Sequence, residues 1–112
     1  MNYATIEYTD SCFTIGEVVC ITESEYGDII KKFKDSQDKT RLGIALEDNI
    51  LYEGVNKTWV LTSGICTIPV KESFEKGNEI YVDDNGEYCK NKTPWKIGLC
   101  NKSGDDFVEI RI

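Results

Sequence analysis

No histidine occurs anywhere in the 112 residues. That removes the commonest zinc ligand, the serine–histidine pair and the usual general base at neutral pH. Prolines number only two. No apolar run approaches the roughly 20 residues that a membrane helix needs. The opening residues, MNYATIEYTD, carry neither the basic start nor the apolar core of a secretion signal. The phosphate-cradling patterns G-x-x-x-x-G-K and G-x-G-x-x-G are both missing. Cations are the minority charge, with 13 Lys and Arg against 20 Asp and Glu, a net charge of −7 and a pI of about 4.6. A nucleic-acid partner is disfavoured, because backbone binding needs clustered Lys and Arg. The one basic cluster, KKFK at Lys31–Lys34, is flanked by Asp28, Asp35 and Asp38 and reads as a solvated strand or helix face.

Five cysteines are present, at 12, 20, 66, 89 and 100, an odd set with no C-x-x-C spacing. A secreted disulfide framework uses an even, dense set. The simpler expectation is reduced thiols acting as small hydrophobes in strands, in a chain made in a reducing cytosol.

Glycine supplies the punctuation. Nine glycines, at 16, 27, 43, 54, 64, 77, 86, 98 and 104, fall about one every ten residues, and short apolar runs fill the gaps. This spacing predicts an all-β single domain, a small β-barrel or β-sandwich of short antiparallel strands. Residues 1–12 read as an N-terminal arm or edge strand, with Tyr3, Ile6 and Tyr8 as contacts, and residues 13–112 as the β domain. Expected strands are GEVVCIT (Gly16–Thr22), RLGIALED (Arg41–Asp48), KTWVLTSG (Lys57–Gly64), ICTIPV (Ile65–Val70), NEIYV (Asn78–Val82), EYCK (Glu87–Lys90), WKIGLC (Trp95–Cys100) and DFVEIRI (Asp106–Ile112). GDIIKKFKD (Gly27–Asp35) is ambiguous. Tyr26, Ile29, Ile30 and Phe33 have helical spacing, while Ile29, Lys31 and Phe33 alternate, and the strand is preferred. Gly43 inside its strand predicts a bulge or a close backbone approach. The Ser63–Gly64 step predicts a tight hairpin between its two neighbours, with Pro69 at an edge or bulge. In the last strand Val108, Ile110 and Ile112 alternate with Phe107, Glu109 and Arg111, giving one apolar face. A faint echo links RLGIALED with WKIGLCNKSGDD, two related strands at similar positions.

Candidate chemistry is sparse. VDDNGEY (Val82–Tyr88) alternates Asp83, Asn85 and Glu87 around Gly86, like a fragment of a calcium loop. A full loop needs about 12 residues and a closing bidentate carboxylate. The better reading is a hairpin whose Asn85–Gly86 pair takes the positive φ angles of a type I′ turn, with Ile80 and Val82 facing the core. A carboxylate dyad such as Glu47 with Asp83 is not placed by sequence. SGDD (Ser103–Asp106) reads as a turn. Trp59 and Trp95 read as a stacking platform for a sugar or a base or, more commonly in a small β domain, as core or subunit contacts. The chain reads as a non-enzyme, with no catalytic, cofactor or metal residue to name.

From Gly16 onward, the ordered pieces GEVVCI, IIKKFKDSQDKTRLGIALED, TWVLTSGICTIPV, FEKGNEIYVDDNGEYCK, WKIGLC and FVEIRI resemble the family of small phage capsid decoration proteins and head-fibre base domains. Gly43 and Gly98 fit the family's two "iG" positions, Gly64 its hairpin, and Gly77-Asn78 its "G-d" step, with Asn for the usual Asp. Tyr81, Asp83 and Gly86 fit "y-x-d-x-x-G". The likeness spans about the last 97 residues. Cys100 departs where a small Ala is expected, and the N-terminal arm does not align. The resemblance implies a structural virion protein on the outer capsid surface, made in the host cytoplasm. Its partners would be the major capsid protein and copies of itself, plausibly a trimer, and it would stabilise the shell. It carries no catalytic site, cofactor, nucleic acid or membrane partner. A carbohydrate- or host-surface-binding β module is the alternative.

Overall fold

The structure, a computed structural model, describes residues 2–9, 11–25, 27–49 and 56–112, with backbone alone for residues 6–8 and 56. Tyr26 and Gly54 therefore lie outside the described residues, as do the side chains of Ile6 and Tyr8.

Ten strands follow one another: β1 Tyr3–Thr9, β2 Val18–Ser24, β3 Gly27–Lys32, β4 Leu42–Ala45, β5 Asn56–Ser63, β6 Ile65–Pro69, β7 Glu79–Val82, β8 Tyr88–Cys89, β9 Lys96–Ser103 and β10 Phe107–Arg111. The fold is all-β, as the glycine spacing predicts. The ambiguous segment is strand β3, ending in a single 3-10 turn at Phe33–Asp35 that drops the Phe33 ring into the core. Strands β1–β5 form a closed barrel in the order β1-β3-β2-β4-β5, and β6–β10 form an open sheet in the order β6-β10-β9-β7-β8.

These are two copies of one plan. In each, the first strand pairs antiparallel with the fifth, the second with the third and fourth, and the fourth with the fifth. The turns agree in detail. Gly16 N–H donates to Ala45 O (2.8 Å) and Ala45 N–H to Glu17 O (2.9 Å). Gly77 N–H donates to Cys100 O and Cys100 N–H to Asn78 O, both 2.8 Å. The side chains of Glu17 and Asn78 accept from Thr14 N–H (3.0 Å) and Glu75 N–H (2.8 Å) in turn. Both glycines hold positive φ, 87° and 91°, a region other residues avoid. Phe13 and Phe74 are buried three residues before them. The echo of RLGIALED and WKIGLC is thus structural. Gly43 and Gly98 sit two residues before Ala45 and Cys100, and a Cβ on either would press a neighbouring strand, Val60 Cγ1 at 2.4 Å or Arg111 O at 2.3 Å.

The units differ in what their faces do. The barrel interior holds Phe13, Val19, Ile21, Ile30, Ala45 and Val60. The outward-facing Val18, Cys20, Ile44 and Leu61 join Phe74, Ile80, Val82, Cys100, Val108 and Ile110 of the sheet in one shared core. The sheet thus lays its inner face over the barrel's outer face. This is why GEVVCIT is a continuous apolar run: strand β2 is buried on both faces.

Three expectations need correction. Residues 1–12, read as an arm or edge strand, contribute β1, which is paired on both sides: with β5 along its whole length and with β3 at Tyr8 and Thr9. The tight hairpin at Gly64 is absent. Strands β5 and β6 belong to different sheets, and Gly64 is the corner between them, exchanging hydrogen bonds with Ile112 (3.0 and 2.8 Å). Strand β6 begins two residues after β5 ends, so no loop exists to turn the chain back. The acidic corner is a hairpin of another type. Its turn bond runs from Gly86 N–H to Asp83 O (3.0 Å), centring it on Asp84–Asn85, and the positive φ (81°) falls on Gly86 after the turn. That is the longer loop in which a glycine follows the turn.

Candidate functional site

The acidic candidates Asp83 and Glu47 are engaged by backbone N–H groups. The Asp83 carboxylate accepts from Asn85 N–H (2.9 Å) and Glu87 N–H (3.0 Å), and Glu47 Oε1 accepts from Trp59 N–H (3.3 Å). Among the described residues, no three His, Cys, Asp or Glu side chains gather as a metal site would require. SGDD is the β9–β10 turn, closed by Gly104 N–H to Phe107 O (3.0 Å). In KKFK, Lys32 pairs with Glu17 at 2.9 Å while Phe33 is buried.

The thiols are free among the described residues. Cys20 and Cys100 are core, and Cys100 fills the place that Ala45 fills in the barrel. Burial pushes the Cys66 thiol up to about 11. Tyr88 is held protonated well above its ordinary range, first by burial and then by the charges of Cys66 and Glu17. Its hydroxyl donates to Gly16 O at 2.5 Å. These groups are poor nucleophiles and bases, because burial favours their neutral forms.

The two tryptophans part company. Trp59 lies on β5 and is 44% exposed. Trp95 enters β9 half-buried, edge-on to Phe33, with centroids 5.1 Å apart and planes at 83°. It forms a wall of a groove of about 650 Å³ where barrel and sheet meet. Further walls come from the loop that follows the 3-10 turn (Gln37, Lys39, Thr40), from Leu42 and Thr62 of the barrel, and from Pro94, Lys96, Ile97 and Ile112. The Lys39 ammonium sits over both rings, 5.1 Å from Phe33 and 6.0 Å from Trp95, and donates to Ser36 O. Lys96 pairs with Glu79 at 3.2 Å. Sequence singled out Trp95 but not Lys39, whose DSQDKT context carries only the signal of a polar loop.

The outer face of the sheet is a second candidate surface. Register sets Ile65, Arg111, Leu99 and Glu79 in a row across four strands, with Leu99 41% exposed. Beside the row, the Tyr81 hydroxyl donates to Glu79 (2.5 Å). That bond, with Lys96, holds the Glu79 carboxyl below its usual range.

No protein-family model matches the chain, and no curated protein matches its sequence. Among solved structures it is similar to the head fiber gp8.5 N base of bacteriophage phi29, with a TM-score of 0.61 and 9% sequence identity, over 98% of this chain and 94% of that one. At that identity the likeness is one of fold, and the chain has a phage head-fibre-like fold.

Proposed function

We propose that this chain is a structural protein of a phage virion, seated on the outer surface of the capsid as a decoration or head-fibre base domain that stabilises the shell. The observation that carries the reading is the end-to-end match in fold to a head-fibre base domain. The physical design agrees with it. Two five-stranded units share one core, so the body is rigid without a cofactor. Its exposed apolar residues, Tyr3, Ile15, Trp59 and Leu99, are scattered over different elements and offer contacts on several sides. Repetition over a symmetric shell turns modest single contacts into firm attachment. A net charge of −7 disfavours non-specific adhesion to nucleic acid. The partners under this reading are the major capsid protein and further copies of the chain, as a trimer.

The test is to mix the purified protein with undecorated heads of its phage and to measure binding by sedimentation and electron microscopy. Saturable, stoichiometric density on the outer surface is expected, and heads that resist heat or osmotic shock better when decorated. Heads that never acquire the protein at saturating concentration overturn the reading. Light scattering tests the trimer separately, and a strict monomer at high concentration rejects it.

A further inference from the structure

We propose that the groove between barrel and sheet is a binding site for a carboxylated oligosaccharide, with Lys39 holding the carboxylate and Trp95 the apolar face of the sugar ring. The proposal stands on the groove's own chemistry and is independent of the capsid role.

Size comes first. About 650 Å³ lies within the range of small-molecule sites and suits two or three sugar rings. Charge is the more telling feature. Carboxylates outnumber cations in this chain by 20 to 13, yet no Asp or Glu side chain lines this groove, and two lysines do. Lys96 is already paired with Glu79. Lys39 has no ion pair among the described residues, and its ammonium is fixed by the Ser36 carbonyl and two aromatic rings. The neighbouring Asp38 carboxylate does not line the groove, and its Oδ1 accepts from the Thr40 N–H (3.0 Å) and hydroxyl (2.7 Å). A positioned, unpaired cation in an acidic protein is complementary to an anion. Its charge acts locally, because screening within about 10 Å hides the rest of the surface at ordinary salt.

The remaining walls select the kind of anion. Trp95 and Pro94 supply flat apolar surface, and Gln37 and Thr62 supply an amide and a hydroxyl. An aromatic plane for C–H faces, neutral polar groups for hydroxyls and one cation for a carboxylate together match a uronic acid unit. A bare inorganic anion would leave the apolar walls unused.

The test titrates the full-length protein with di- to tetragalacturonate, with the matching neutral galacto-oligosaccharides, with inorganic phosphate and with an acidic peptide. Binding is read from tryptophan fluorescence in Trp59→Phe, which leaves Trp95 as the only reporter, and from amide chemical shifts. Expected is saturable galacturonate binding that perturbs residues 37–42 and 95–97, with neutral sugars at least ten-fold weaker. Lys39→Gln should weaken galacturonate binding at least ten-fold, while Trp59→Phe leaves it unchanged. Lys96→Gln, a second surface change that spares the packing of Lys39 on the rings, should weaken it by a few fold. No galacturonate binding, binding indifferent to Lys39→Gln, or tighter binding of phosphate or the acidic peptide would each overturn the proposal. Because the readout uses isolated protein, its outcome is separable from the capsid experiment.

Discussion

The barrel and the sheet are built on one strand plan, and one closes while the other stays open. In the barrel, Tyr8 and Thr9 of β1 meet Ile29 and Ile30 of β3 in the parallel pair that seals the ring. Strand registers put Pro69 and Val70 against Glu87 and Tyr88 at the matching place in the sheet. Proline has no N–H to give a ladder. Strand β8 is only two residues long, against six for β3. The seam is left as a small cavity of about 150 Å³ beside these residues, and the Tyr88 hydroxyl at its side donates to Gly16 O of the barrel. The free edge of β6 is also guarded at its start, where the Asn2 side chain accepts from Ile65 N–H (2.9 Å) and donates to Ile65 O (3.0 Å). Edges blunted in this way resist unwanted strand pairing.

The faces follow from the same difference. Where the barrel's outer face has Val18, Cys20, Ile44 and Leu61, the sheet has Glu79, Tyr81, Leu99 and Arg111. An open sheet cannot bury its inner face on itself. It buries that face on the apolar outer face of its twin.

The strongest way to break this comparison is Ile80→Ala, which empties the shared core. It should cost about 2–5 kcal/mol, read as a shift in urea midpoint. Hydrogen exchange should rise together in barrel and sheet. Loss of protection in the sheet alone would contradict a single cooperative core. Next comes the glycine pair. Gly98→Ala drives a Cβ against the Arg111 carbonyl and should cost about 1–3 kcal/mol. Gly43→Ala should cost a similar amount through Val60, and an unchanged melting temperature in both variants would refute the close approach.

A smaller effect lies in alkaline solution. The folded Cys66 thiol titrates near 11 against an ordinary 9.0, so the unfolded thiol loses its proton first. Its contribution is full below pH 9 and is lost as pH rises from 9 to 11. Urea titrations across that window should show a shallower decline for Cys66→Ala than for the parent chain, and parallel curves would reject the assignment. The smallest effect concerns the seam. Pro69→Thr restores an N–H at the closing position yet should change stability by no more than about 0.5 kcal/mol. Its new amide should exchange freely, because the two-residue β8 stops short of presenting a strand partner there. A protected amide would show that proline alone keeps the sheet open.

Much of this was legible in the chain. Glycine spacing announced short strands, and alternation in DFVEIRI announced a one-sided face, with Val108 and Ile110 buried as expected. Ile80 and Val82 face the core as their strand pattern predicts. The echo between Gly43 and Gly98 was visible, but it is too short to reveal a repeated unit. The Gly64 corner was misread because a Ser-Gly step looks the same whether the next strand returns or continues. The N-terminal strand was misread because its partners, β3 and β5, lie at sequence distances that local pattern does not reach. The groove escaped for the same reason, since its walls come from residues 37–42, 62 and 94–97.

What the sequence determined by itself is the class: short strands, tight glycine turns, an acidic surface and no histidine for neutral-pH proton transfer. These depend on local conformational preference and composition, which need no knowledge of the rest of the chain. Only the tertiary structure decided which unit closes, which face is shared and where Lys39 stands beside Trp95. Those outcomes depend on pairings between distant segments, where a strand as short as the two-residue β8 leaves one unit open to cover its neighbour.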